Sequence, residues 1–264
     1  DPPYYKTKGD FDFIWKTFED YLVDVEKWCL ECKRILADNG TLFWYGGSKN
    51  IAYAQIIFDK HFNLINNLTW NKGSFMGLEE SEGLRSFAPC TERILMYEIE
   101  HEEISGKHYE SIKHYFWSEY DKSDLTLKKA NELMGLATTG ANLAGELFGK
   151  KRDRFCFPTK EKYTSLQKSG FFSKTYEDLR KEYNCLKEEY EELRRPFNNR
   201  FNLQEVLNFS NEQAKTGAKY DHDTVKPETL TRAVILTCSR ENDLVVVPFA
   251  GSGTECAMSA KEKR

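Results

Sequence analysis

The stretch Asp243–Glu255, DLVVVPFAGSGTE, constrains the fold more than any other part of the chain. An apolar run that includes three successive valines reads as a buried strand, and the glycines that follow interrupt it before a helix begins. Gly251 and Gly253 allow the backbone to approach a ligand closely, and the helix after them presents free N–H groups. A strand, a glycine turn and a helix in that order belong to an α/β sheet. By itself a GxG turn is a weak signal, shared by sites for nucleotides, flavins and other adenosine-bearing cofactors. The chain has no GK[ST] sequence, which excludes a P-loop, and the lack of GxGxxG counts against a standard dinucleotide fold.

The same rhythm runs through the first hundred residues. Ile14, Phe18, Tyr21, Val25, Cys29, Cys32 and Leu36 recur at helical spacing, and Asp38-Asn39-Gly40 is a natural stop. Thr41–Tyr45 (TLFWY) reads as a buried strand and residues 50–62 as a helix. Residues 64–70 and 93–97 read as further strands. The loop between those last two, NKGSFMGLEESEGLRSFAP, has the composition of a mobile segment that covers a ligand. Cys29 and Cys32 have CxxC spacing without a second pair, so they read as small core residues of the first helix rather than a zinc site. Seven scattered cysteines suit a reducing, cytoplasmic compartment. No run of residues is apolar enough for a membrane span.

From about residue 99 to 205 the character changes. Leu125–Gly135 and Gly140–Phe148 form two short helical patterns about a tight turn, a plain helical hairpin or a helix-turn-helix. Lys150, Lys151, Arg152 and Arg154 begin a segment, ending at Lys174, with an excess of six positive charges and interleaved aromatics. In a chain of net charge −4, that local excess suits a phosphate-contacting surface. Tyr176, Leu179, Tyr183, Leu186, Tyr190 and Leu193 then repeat as an a/d seam, which predicts burial of its leucines. Residues 228–239 read as a helix.

Asp1-Pro2-Pro3-Tyr4 cannot lie inside a helix or a central strand, because the two prolines fix φ and donate no hydrogen bond. An amino group on a heteroaromatic base is a poor nucleophile, since its lone pair is delocalised into the ring. A carboxylate and a proline-fixed carbonyl accept hydrogen bonds from such a group and favour a pyramidal nitrogen. The adjacent tyrosine offers a face on which an extruded base can stack.

With these motifs in order, the chain resembles the beta-class DNA amino-methyltransferases that modify adenine N6 or cytosine N4. The likeness is carried by DPPY at 1–4, RILADNGTLFWYGG at 34–47, LINNLTWNKG at 64–73, CTERILMYE at 90–98 and HDTVKPETLTRAVILTCSRENDLVVVPFAGSGTE at 222–255. It implies a Rossmann-like α/β sheet that binds S-adenosylmethionine and carries a helical target-recognition insert. The catalytic half is expected at 1–98, the insert at 99–205 and the cofactor-binding half at 206–264.

The resemblance makes Asp1, Pro2, Pro3 and Tyr4 catalytic. It brings Thr224, Lys226, Pro227, Phe249, Ala250, Gly251, Ser252 and Gly253 to the cofactor, with Thr224 and Lys226 at its methionine end. The family commonly reads HPTQKP where this chain has Asp223 and Val225 inside HDTVKP. Lys150, Lys151, Arg152 and Arg154 are the expected contacts to double-stranded DNA. A homodimer and a cognate restriction enzyme are candidate partners, and the resemblance points to a bacterial or phage-encoded enzyme. The family also has a strand before DPPY and another after the glycine helix, so the chain is expected to be a trimmed piece of a longer polypeptide. Aspartate in the first position favours adenine N6. Cytosine N4 methylation, a catalytically silent DNA-binding subunit of the same fold, and an RNA or protein methyltransferase are the alternatives.

Overall fold

The computed structural model describes residues 1–7, 9–73, 85, 87, 89–99, 109–136, 143–150, 155–210 and 225–264. They fall into two compact units, one formed by Asp1–Glu100 with Arg195–Arg264 and the other by His101–Arg194. Most of the glycine- and glutamate-rich loop predicted to cover a ligand lies outside the described residues. No helix among the described residues is long and apolar enough to cross a membrane.

In the first unit, helix α1 spans Phe18–Ile35 and starts later than the periodicity suggests. Thr17 stops it from extending backwards. Its hydroxyl accepts from the Asp20 N–H, and the Asp20 carboxylate accepts from the Thr17 N–H, a reciprocal capping box. Ile14, left outside the helix, is exposed. The inward face carries Tyr21, Val25, Cys29 and Cys32, all buried. Burial pushes the Cys29 thiol up to about 12, as expected of an inert core cysteine.

Strand β1 (Leu42–Gly47), helix α2 (Ile51–Phe58), strand β2 (Asn63–Asn71) and strand β3 (Thr91–Glu98) follow. A short strand β4 (Val206–Asn208) completes a four-stranded sheet of order β1-β3-β2-β4. β3 is antiparallel to both β1 and β2, and β4 runs parallel to β2. Because side chains alternate across a strand, each strand feeds two cores. Trp44, Leu95 and Tyr97 join α1 and α2 on one face. Tyr45, Ile94, Trp70 and Leu207 pack with Leu230 on the other. The chain is thus a mixed α/β protein with a four-stranded mixed sheet, consistent with the expected Rossmann-like architecture.

The second unit is helical. It contains α3 (Glu110–Lys122), α4 (Leu127–Leu133), α5 (Leu143–Phe148), α6 (Lys160–Gln167) and α7 (Tyr176–Leu193). Its core gathers Ile112, Phe116, Leu147, Tyr163, Leu166 and Leu179. Residues 137–142, the turn of the predicted helix pair, lie outside the described residues. Ala144, Gly145, Leu147 and Phe148 of α5 are buried, so this helix is a core element with no exposed face. A helical hairpin fits that burial, whereas a groove-reading helix needs exposed side chains. The α7 seam is buried at Leu179 and exposed at Leu193, so the predicted burial holds only at its start.

Two helices close the first unit, α8 (Glu228–Cys238) and α9 (Thr254–Lys261). Between them Asp243–Val247 forms no strand, contrary to its apolar composition. Leu244 is 88% and Val246 53% exposed, while the residues on either side of them are half-buried. The alternation is that of an extended segment, but a buried strand also needs ladder partners. Instead, a cavity separates this segment from β1.

Candidate active site

The Asp1–Tyr4 turn is fastened to its surroundings by groups that the prolines leave available. The Tyr4 N–H donates to the buried Asp12 carboxylate at 2.7 Å, and the Tyr4 carbonyl accepts from Asn50 Nδ2 at 3.0 Å. The Pro3 carbonyl accepts from the Tyr21 hydroxyl at 3.0 Å. Just beyond, Tyr5 and Lys6 adopt φ values of 65° and 51°. Left-handed backbone at two successive non-glycine residues costs about 1–2 kcal/mol each. The Lys6 N–H to Asp12 carbonyl bond, 2.7 Å, helps hold this reversal. Strain of this kind, over-determined by its neighbours, is typical of functional turns.

Asp1 lies in a buried, charge-balanced cluster. Its Oδ1 accepts from the Tyr4 hydroxyl at 2.6 Å, and its Oδ2 lies 2.7 Å from Lys226 Nζ. Lys226, 4% exposed, is also 3.4 Å from Glu92 Oε2. Lys72 pairs with the other oxygen of Glu92. The Tyr4 hydroxyl is 3.2 Å from Glu92 as well, and having one proton it serves a single carboxylate at a time. Around the Lys226 ammonium stand the rings of Tyr4, Tyr45 and Trp70, with centroids at 5.8, 5.4 and 5.6 Å.

Burial alone would raise the Glu92 carboxyl, but the Lys226 and Lys72 ammonium groups outweigh it and hold the group below the usual carboxylate range. Burial lowers Lys226 from the ordinary lysine value, opposed by Glu92 and Glu255. Burial, and then Glu92, push the Tyr4 phenol well above its usual range, so Tyr4 stays a neutral donor. Together the arrangement fixes an acceptor-only carboxylate, with both oxygens oriented, at the end of a rigid turn.

The glycine turn lies at the start of α9. Gly251 and Gly253 have φ of 50° and 77°, and Gly253 N–H donates to the Ala250 carbonyl at 2.7 Å. A Cβ on Gly253 would meet nothing within 4 Å, so glycine answers a backbone demand there rather than a packing one. Phe249 is half-buried, with its ring 5.0 Å from that of Trp28. A cavity of about 380 Å³ has Asp1, Phe249, Glu255 and Thr231 in its wall, with β1 along one side and Val245 and Val247 along another.

The structure therefore brings Asp1 to Lys226 directly and to Phe249 across one cavity. Pro2, Val225, Lys226 and Pro227 are buried, whereas Ala250, Gly251 and Ser252 are exposed. Lys150 is exposed and paired with Asp121 at 2.7 Å. Thr224, Lys151, Arg152 and Arg154 lie outside the described residues. Sequence reasoning missed Glu92, Lys72 and the Tyr45–Trp70 rings. Strand alternation held a signal for one of them, since Glu92 shares a face with Ile94 beside an otherwise apolar run.

Comparison with known proteins places the chain in a family. A stretch of 72 residues is 35% identical to the orphan methyltransferase M.BamHII of Bacillus amyloliquefaciens, covering 27% of this chain and 27% of that protein. The profile of the DNA methylase family, the N6/N4 methyltransferases, matches residues 1–264. The chain therefore belongs to the N6/N4 DNA methylase family.

Proposed function

We propose that this chain carries the methyl-transfer site of a site-specific DNA methyltransferase that modifies the N6 amino group of a flipped-out adenine. The observation that carries the reading is the Asp1 carboxylate, ordered by Tyr4 and Lys226 at the end of the proline turn. In this reading Asp1 and the Pro2 carbonyl accept the two N–H bonds of the target amino group. The Pro3 carbonyl has a structural role instead, since Tyr21 occupies it. Tyr4 supplies the stacking face.

S-adenosylmethionine is the proposed cofactor, and several residues of the cavity wall fit it. Two carboxylates, Asp1 and Glu255, suit a sulfonium cation, and Phe249 suits an adenine ring. The buried Thr231 hydroxyl has no hydrogen-bond partner among the described residues. The cavity falls within the roughly 300–1,000 Å³ range of small-molecule sites. Thr224, Pro227, Ala250, Gly251, Ser252 and Gly253 complete the proposed cofactor set, and Lys226 joins it to the catalytic turn. When bound, the cofactor supplies an electrophilic methyl group whose bond electrons leave with sulfur. Asp1 orients the amino nitrogen so that its lone pair is available, and the nitrogen gives up its proton to solvent water after the new bond has formed. Positioning and electrostatic matching thus carry the catalysis.

Double-stranded DNA is the proposed substrate, with Lys150, Lys151, Arg152 and Arg154 on its phosphates. Neutralising these four is expected to weaken DNA binding and flatten its salt dependence, as measured by titration at several salt concentrations. Mass spectrometry of nucleosides from DNA methylated by the protein tests the reaction itself. N6-methyladenine is expected. N4-methylcytosine would move the target to cytosine, and the absence of any methylated base would favour the silent DNA-binding reading.

A further inference from the structure

Lys226 belongs by sequence to the cofactor block, yet its ammonium is spent elsewhere. It lies 2.7 Å from Asp1 Oδ2 and 3.4 Å from Glu92 Oε2, enclosed by three aromatic rings. A lysine reaching for a ligand carboxylate would have to leave both of these carboxylates unpaired or partly so, in a buried site where unpaired charge is costly. Glu92 is fixed in turn. It lies in β3 opposite Gly47 of β1 and Trp70 of β2, and Lys72 holds its second oxygen. Two carboxylates and two ammonium groups thus form one balanced chain, Lys72–Glu92–Lys226–Asp1, that runs from the sheet to the proline turn.

We propose that Lys226, anchored by Glu92, is a positioning residue that aims the Asp1 carboxylate at the substrate amino group, and that it acts on the transfer step rather than on cofactor binding. The inference rests on the methyltransferase reading above. Without Lys226, Asp1 keeps the Tyr4 hydroxyl on Oδ1 and loses the constraint on Oδ2, so the carboxylate can rotate. Small losses of aim in a preorganised acceptor are expensive in rate. Glu92 also offers the Tyr4 hydroxyl an alternative acceptor at 3.2 Å, so Oδ1 can be released to the substrate without leaving a buried donor unpaired.

Three readouts on K226M, K226R, E92Q and K226M/E92Q test this in the full-length protein. They are the single-turnover rate of methyl transfer to DNA, the affinity for the non-reactive cofactor analogue sinefungin, and the midpoint of urea unfolding. K226M is expected to slow transfer by about 100-fold or more, the scale of losing one preorganised electrostatic contact. Sinefungin affinity should stay within about twofold, since the loss is confined to the transition state. K226R, which keeps the charge, should recover about tenfold of that rate. E92Q should slow transfer with unchanged sinefungin affinity, which keeps the test alive if K226M folds poorly. The double variant should recover the urea midpoint, because removing both charges restores the balance, but not the rate. A K226M protein that binds sinefungin about tenfold more weakly yet transfers at the wild-type rate when saturated would make Lys226 a cofactor contact and overturn the inference alone. A wild-type protein that binds sinefungin but methylates no DNA base would overturn the methyltransferase reading, and this inference with it.

Discussion

The two units of the chain differ in how they bury charge. In the sheet unit, Asp1, Glu92, Lys72 and Lys226 are withdrawn from water and balance one another. In the helical unit, pairs such as Lys150–Asp121, Lys160–Glu177 and Lys174–Glu182 lie at the surface, and the buried Glu119 carboxylate reaches outward to the exposed Lys122 ammonium at 2.7 Å. Its core polar groups include a tyrosine, an amide and the Glu119 carboxylate, which accepts from the buried Phe172 N–H at 2.9 Å. Tyr163 donates to the Lys174 carbonyl at 2.8 Å, and Asn131 accepts from the Ala144 N–H at 3.2 Å. Buried ion clusters are weak sources of stability but strong sources of orientation. The contrast therefore marks the cluster around Asp1, where two carboxylates and two ammonium groups meet out of water, as the place where orientation is needed.

The sharpest way to break this comparison is to damage the helical core alone. Phe116→Ala is expected to cost about 3–5 kcal/mol. Hydrogen exchange should then show protection lost across α3–α7 and retained in β3. Loss in both would make them one cooperative unit. A smaller step is Tyr163→Phe, which strips the hydroxyl from Tyr115 and the Lys174 carbonyl and is expected to cost about 1–3 kcal/mol in urea unfolding. An unchanged midpoint would mean that this polar core contributes little.

Acid sharpens the other side of the comparison. The Glu92 carboxyl is lower in the folded state than its unfolded value of about 4.3. The folded state therefore gains stability from it above that pH, and loses the gain as pH falls through the depressed value. Urea midpoints of the wild type should fall over that acid range, and those of E92Q should fall less steeply. Smallest of all should be Lys160→Ala, since both partners of that pair are more than half exposed. Thermal unfolding should not register it.

The same division decides what the sequence made legible. Helix α1 could be read from Tyr21, Val25, Cys29 and Cys32, because a core face repeats at helical spacing. Strands β1 and β3 could be read from short apolar runs. Asp243–Val247 misleads because apolar composition reports a wish for burial, and burial in a strand also needs neighbours. Heptad spacing makes the leucines of α7 look equal, although burial fades from Leu179 to Leu193. At the site, the proline turn and the glycine turn were visible as motifs. The meeting of Lys226 with Asp1 and Glu92 was not, because it depends on the register of β3 between β1 and β2. Periodicity reports which face a residue takes, and tertiary register decides which charge it meets there.

The most direct test of the account separates binding from chemistry at Asp1. Full-length wild-type and Asp1→Ala proteins would be compared for transfer of a labelled methyl group to DNA in a single turnover, beside their affinity for sinefungin. The account predicts a rate loss of about 10³-fold or more with cofactor affinity largely kept. Turnover by Asp1→Ala at the wild-type rate would contradict it.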